Sequence, residues 1–137
     1  MIEMEYLLDT NICIYIIKRK PIEIFNRFSQ LPLGKIGIST ITLAELIYGV
    51  AKSSSIEKNT QALQEYLVPL DIIDFDSKAA VIYGRVRSEL EKVGQVIGPL
   101  DMLIAAHGLS AGLTVVTNNE KEFERVKGLK VENWVKK

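Results

Sequence analysis

Short apolar runs alternate along the chain with longer stretches in which apolar residues recur at helical spacing. Tyr6-Leu7-Leu8 predicts a buried strand, ended by Asp9-Thr10-Asn11, residue types that favour turns and helix N-caps. Ile12 to Ile17 predicts a mostly apolar helix, broken by Lys18-Arg19-Lys20-Pro21, and Pro21 suits the first turn of a second helix, Ile22 to Gln30. Lys35 to Ser39 predicts a second strand, Thr42 to Val50 a helix and Ser53-Ser54-Ser55 a turn. A helix over Lys58 to Leu67 carries Leu63, Tyr66 and Leu67 on one face, and Leu70 to Phe75 predicts a third strand. Asp76-Ser77 caps a long helix that runs to about Val93 and stops at Gly94. Gly98-Pro99 opens a helix through Ser110, with Gly112 just past its end. Leu113 to Thr117 predicts a β-branched buried strand, Glu120 to Arg125 a short helix, and Lys130-Val131-Glu132 a last edge strand.

Strands separated by helical crossovers imply an α/β fold: one domain over residues 1–137, with a central, mainly parallel sheet and helices on both faces. In such sheets chemistry lies outside the carboxyl ends of the strands.

Composition narrows the function classes. At 137 residues, 47% hydrophobic and 25% charged, the chain can bury a core without disulfides, and its single Cys13 is expected to be a buried, inert thiol. Seventeen Lys+Arg balance seventeen Asp+Glu, so phosphate contact must come from local basic clusters or bound metal. The acidic N-terminus lacks the basic region of a secretory signal. The longest uncharged stretch, Met102 to Asn119, is too interrupted by polar residues and glycines to span a membrane. A cytoplasmic location follows as an expectation.

Acidic residues stand at the strand ends. Asp9 follows strand one, Glu45 is expected in the first turn of the helix after strand two, and Asp101 in the first turn of the helix opened by Gly98-Pro99. Asn119, Glu120 and Glu122 follow the strand ending at Thr117. Each has a structural use: Asp9 as a helix cap, Glu45 in a capping box with Thr42, and the others as acids favoured by a helix N-terminus. Together they are harder to dismiss. Asp101 is the only charge between Lys92 and Glu120. Clustered carboxylates repel unless positive charge joins them. A hard divalent ion, Mg²⁺ or Mn²⁺, resolves this with oxygen ligands and points to phosphodiester hydrolysis.

Leu8-Asp9-Thr10-Asn11, Leu43-Ala44-Glu45-Leu46-Ile47-Tyr48-Gly49, and Gly98-Pro99-Leu100-Asp101 followed by Ile104-Ala105-Ala106-His107 resemble PIN-domain ribonucleases, above all the VapC toxins of bacterial toxin–antitoxin pairs. Thr117-Asn118-Asn119-Glu120-Lys121-Glu122-Phe123 and the tail from Val126 to Trp134 resemble the end of the same family. The intervals of 36 and 56 residues between the three acids make the set specific. The resemblance implies a PIN-like domain and a Mg²⁺- or Mn²⁺-dependent endoribonuclease, inhibited by a VapB antitoxin and dimeric. It carries over Asp9, Glu45 and Asp101 as metal-binding catalytic acids. At the fourth position, where many members have Asp, this chain has Asn119, with Glu122 near to supply charge. The tail type resembles members that cut initiator tRNA in the anticodon stem-loop.

Thr10, Asn11, Ser39 and Thr117 stand at strand ends, suited either to orienting metal-bound water or to local capping. Lys18, Arg19, Lys20, Lys52, Arg85 and Arg87 are candidates to line an RNA path. His107 is about 240° round the helix from Asp101, which favours a packing role over a ligand role. Ile12, Ile14, Ile16 and Ile17 surround the first helix, more than one buried face requires, so some are candidates to face a subunit or an antitoxin segment. Three competing readings remain. A phosphatase of the haloacid dehalogenase type needs an acid at position 11, which is Asn. A receiver domain needs an acidic pair that Asp9 lacks. A non-catalytic interaction module would use the acids as caps alone.

Overall fold

A computed structural model describes residues 2–135. Five strands, β1 (Tyr6–Leu8), β2 (Ile36–Ser39), β3 (Asp71–Ile73), β4 (Thr114–Val116) and β5 (Lys130–Glu132), form one sheet in the order β3-β2-β1-β4-β5. All pairings are parallel: Tyr6 stands opposite Ile36 and Thr114, and Leu8 opposite Val116. Seven helices supply the crossovers: α1 (Thr10–Lys18), α2 (Ile22–Gln30), α3 (Thr40–Ala51), α4 (Ile56–Leu67), α5 (Ser77–Lys92), α6 (Pro99–Ala111) and α7 (Glu120–Phe123).

The pleat divides the core in two. Tyr6, Leu8, Ile36, Ile38 and Val116 point to one face, where they meet Ile12, Cys13 and Ile16 of α1, Ile24 of α2, Leu46 of α3 and Leu63 and Tyr66 of α4. Leu7 and Val115 point to the other face and pack on Val86 and Leu90 of α5, Met102, Ile104 and Ala105 of α6 and Phe123 of α7. Helices on both faces bury the three central strands, whose residues are mostly apolar for that reason. Helix α6 lies so close to β4 that a Cβ at Gly108 would stand 2.5 Å from Val115 Cγ2.

Several boundaries differ from expectation. The helix after β2 begins at Thr40, not Thr42, because the Ser39 side chain accepts from the Ile41 N–H at 3.0 Å and caps it directly at the strand end. Glu45 therefore falls in the second turn and closes no capping box; Thr42 is a fully buried helical residue whose hydroxyl has no partner among the described residues. Helix α1 begins at Thr10 rather than Ile12, since Asp9 itself is the cap, and α4 begins at Ile56 rather than Lys58. The third strand keeps only Asp71–Ile73: the Leu70 N–H closes a turn onto Leu67 O, and the Phe75 N–H goes to Thr40 Oγ1 instead of the ladder. Among the described residues no helix is long and apolar enough to cross a membrane.

Candidate active site

The strand order runs outward from β1 in both directions, which makes the carboxyl ends of β1 and β4 the topological switch point. Asp9 leaves β1 there and Thr117 leaves β4. The backbone joins them, since the Asp9 N–H donates to Val116 O at 3.0 Å.

Asp9 is 3% exposed. Its Oδ1 accepts from the Ile12 N–H at 2.9 Å, so the capping use expected from its position is real. Capping does not exhaust it. Burial pushes its carboxyl up to about 6, the charges of Asp101 and Glu45 push the same way, and hydrogen bonds from the Thr117 hydroxyl and the Ile12 N–H oppose them. Asp101, in the first turn of α6, is also held above the usual carboxylate range by burial and by the charges of Glu122 and Glu45, with the Asn119 amide acting against them. Asp9 thus feels the charges of Asp101 and Glu45, and Asp101 those of Glu122 and Glu45, at one end of the sheet.

The polar residues of the same corner hold this group in place. The Thr10 hydroxyl donates to Glu45 Oε1. Thr117 Oγ1 accepts the Asn119 N–H at 2.9 Å, and Asn119 Nδ2 donates to Asp101 Oδ2 at 3.3 Å. Asn119 therefore takes the fourth position as a donor toward Asp101. Asn11 is exposed at the start of α1. Ser39 is turned to other work: fully buried, its Oγ caps α3 and lies 2.8 Å from His107 Nδ1. His107 is buried edge-on against Phe75, and burial holds its imidazole below the usual range, against the raising effect of Asp76 and Asp74. That is the packing role its helical position suggests. Burial likewise pushes the Cys13 thiol up.

No lysine or arginine is among the groups that set the Asp9 and Asp101 shifts. The ion pairs among the described residues, Arg27–Glu132, Lys35–Glu5 and Arg87–Glu91, lie elsewhere. Nor is any group of three His, Cys, Asp or Glu side chains already gathered to hold an ion among those residues. Mg²⁺ is commonly held by one or two carboxylates and several waters, and a set of coupled but separated acids without a cation suits that hydrated mode.

The basic candidates are dispersed. Lys18, Arg19 and Lys20 are exposed at the end of α1, with the Arg19 guanidinium 4.4 Å from the centre of the Phe25 ring. Arg87 binds Glu91 and the Tyr83 hydroxyl along α5, and Arg85 is exposed on the same helix. Lys52 stands over the Tyr48 ring on α3, the helix of Glu45. Ile14 and Ile17 line a cavity of about 330 Å³ with Lys18, Leu46, Gly49 and Leu63, and Glu45 forms part of its wall. The sequence reading passed over Tyr15 and Asn118, which are joined by a hydrogen bond at the rim of the acids; the doublet Asn118-Asn119 after a buried strand was the available signal.

Comparison with known proteins places this geometry. The PIN domain matches residues 6–129. The chain is 49% identical over 132 residues to Ribonuclease VapC2 of Haemophilus influenzae, covering 96% of this chain and 99% of that protein. It is 47% identical over 131 residues to the tRNA(fMet)-specific endonuclease VapC of Shigella flexneri, covering 96% and 98%. The fold superposes with a TM-score of 0.89, at 47% identity over 96% of this chain and 99% of the other, on the crystal structure of VapBC2 from Rickettsia felis bound to a DNA fragment from their promoter. Phosphatase and receiver readings fall with these matches. With Asp9 and Thr117 at its β1–β4 switch point, the chain belongs to the PIN-domain family and, within it, to the VapC ribonucleases.

Proposed function

We propose that residues 1–137 form one PIN-like domain acting as a Mg²⁺- or Mn²⁺-dependent endoribonuclease toxin. The observation that carries this reading is that buried Asp9 and half-buried Asp101 stand at the carboxyl ends of the central strands within reach of the charges of Glu45 and Glu122, with no lysine or arginine among the groups that act on either. Asp9 and Asp101 would hold the ion with Glu45, and when bound it supplies a nucleophilic water at neutral pH and charge stabilisation for the scissile phosphate. Thr10 and Thr117 hold Glu45 and Asp9 in place, Asn119 orients Asp101, and Glu122 adds negative charge beside it. Lys18, Arg19, Lys20, Arg85 and Arg87 are the phosphate contacts of this reading.

The substrate class is tRNA, cut in the anticodon stem-loop with initiator tRNA as the specific target; a relative 47% identical carries the name tRNA(fMet)-specific endonuclease. The partner is a VapB-type antitoxin, supported by structural neighbours that are VapBC complexes. The cavity beside Glu45, with Ile14 and Ile17 in its wall, offers such a segment an apolar seat next to the acids. The working assemblies are a homodimer and a toxin–antitoxin hetero-oligomer, in the cytoplasm.

The test compares wild type and Glu45→Gln on purified tRNA with Mg²⁺, with Mn²⁺ and with a chelator. Glutamine keeps an oxygen for the Thr10 hydroxyl and removes the charge. Metal-dependent cutting by wild type alone, at equal folding, supports the reading. Equal cutting by both removes Glu45 from the mechanism, and uncut RNA in every condition favours the non-catalytic interaction module.

A further inference from the structure

The rim of the acid cluster carries a polar pair that hydrolysis does not use. Asn118 stands between Thr117, which bonds Asp9, and Asn119, which bonds Asp101, so its backbone is fixed beside the acids from both sides. Its side chain is exposed, and its Nδ2 donates to Tyr15 Oη, on α1, at 2.9 Å. Asparagine in a loop commonly bonds neighbouring backbone. Here the amide instead reaches a phenol 103 residues away, whose ring is half-buried against the core. That bond anchors the amide nitrogen and narrows the orientations open to the side chain. It leaves one amide N–H, the Oδ1 and the phenolic proton without a hydrogen-bond partner among the described residues.

An adjacent donor and acceptor in one plane match a base edge, and the N6–H/N7 edge of adenine is the usual partner of an asparagine amide. Unpaired nucleotides in RNA loops expose such edges. A neutral amide adds no long-range pull on phosphates, so a contact of this kind alters base choice rather than general affinity. Resting on the ribonuclease reading above, we infer that Asn118, oriented by Tyr15, contacts an unpaired base next to the scissile phosphate and sets which base stands there. Asn118 is the contact and Tyr15 a positioning residue.

The experiment uses the full chain with Mg²⁺ or Mn²⁺ and a set of tRNAs whose anticodon loops differ only in the bases flanking the cut. Wild type, Asn118→Ala and Tyr15→Phe are compared for base preference, KM, kcat and melting temperature. Wild type is expected to favour one base, and Asn118→Ala to lose about tenfold of that preference through KM, the scale of one good amide–base pair. Its kcat on the best substrate and its melting temperature stay close to wild type. Tyr15→Phe, which keeps the ring and frees the amide, loses part of the preference. No base preference in wild type, or the same preference in all three, overturns the inference and leaves the nuclease reading standing. A lowered melting temperature with unchanged preference overturns it too, making the pair a structural strap. No cutting by wild type in either metal brings down both.

Discussion

The Thr10 hydroxyl donates to Glu45 Oε1, joining the first residue of α1 to the second turn of α3 across 35 positions of sequence. Asp9, immediately before Thr10, caps the same helix and feels the Glu45 charge. Two acids from different crossovers are thus tied to a single helix start, and their spacing follows from one cap and one hydroxyl rather than from a flexible loop.

Removing that hydroxyl tests the tie. Thr10→Val keeps the side-chain shape and loses the donor. A net hydrogen bond is worth about 0.5–1.5 kcal/mol, so kcat/KM on RNA is expected to fall about 2- to 13-fold while Thr10→Ser stays near wild type. Cleavage rates of the three proteins check this, and a valine variant as active as wild type would show that Glu45 needs no such support.

Asp9 makes a pH prediction. Its folded carboxyl titrates near 6, above the ordinary value of about 3.9 for an unfolded chain. Below about pH 3 both states are protonated and the group costs nothing. As pH rises toward 6 the unfolded chain ionises first, so the native state loses stability, by up to about 3 kcal/mol once both are ionised. Asn caps helices about as well as Asp. Asp9→Asn should therefore abolish cleavage in the presence of metal, yet without metal unfold at higher urea than metal-free wild type at pH 8, the two converging at low pH. A variant weaker than wild type at pH 8 would mean that the charge stabilises the fold.

The α/β order was legible because central strands buried on both faces must be largely apolar or β-branched, as Tyr6-Leu7-Leu8 and Thr114-Val115-Val116 are. Asp9 as a cap was legible because its backbone partner is local. The start of α3 was not. Ser39, Thr40 and Thr42 are all capping types, and the choice of Ser39 depends on where β2 stops pairing and on His107 arriving from 68 positions away. The same holds for the candidate site: acids at strand ends are visible in the sequence, whereas the Thr10–Glu45 and Asn119–Asp101 contacts come from the packing of crossovers and leave no local pattern.

Metal binding gives a prediction that needs no RNA. An ion held by ionised Asp9 and Asp101 stabilises the folded chain by mass action, about 2.7 kcal/mol at a hundredfold excess over Kd. Because burial and the neighbouring acids favour protonated Asp9, the ion must compete with protons. The rise in melting temperature on adding Mn²⁺ should be larger at pH 8 than at pH 5, and Asp101→Asn should remove most of it. An equal rise in that variant would place the ion elsewhere on the surface.

Ser39 offers the last test, because its place at a strand end suits it to orienting water at the site, while the structure turns its hydroxyl to the Ile41 N–H and His107. Both side chains are buried, so Ser39→Ala leaves the imidazole nitrogen without its partner and α3 without its cap. The combined cost is about 1–3 kcal/mol, the usual penalty for stranding a buried polar group. Cleavage per folded molecule, measured well below the lowered melting temperature, should stay within about twofold of wild type, since Glu45 keeps its own bond to Thr10. Denaturant titration and single-turnover cleavage separate the two effects. A full loss of cleavage in a well-folded alanine variant would return Ser39 to the reaction; a loss of stability alone assigns it, with His107, to joining the helices that carry Glu45 and Asp101.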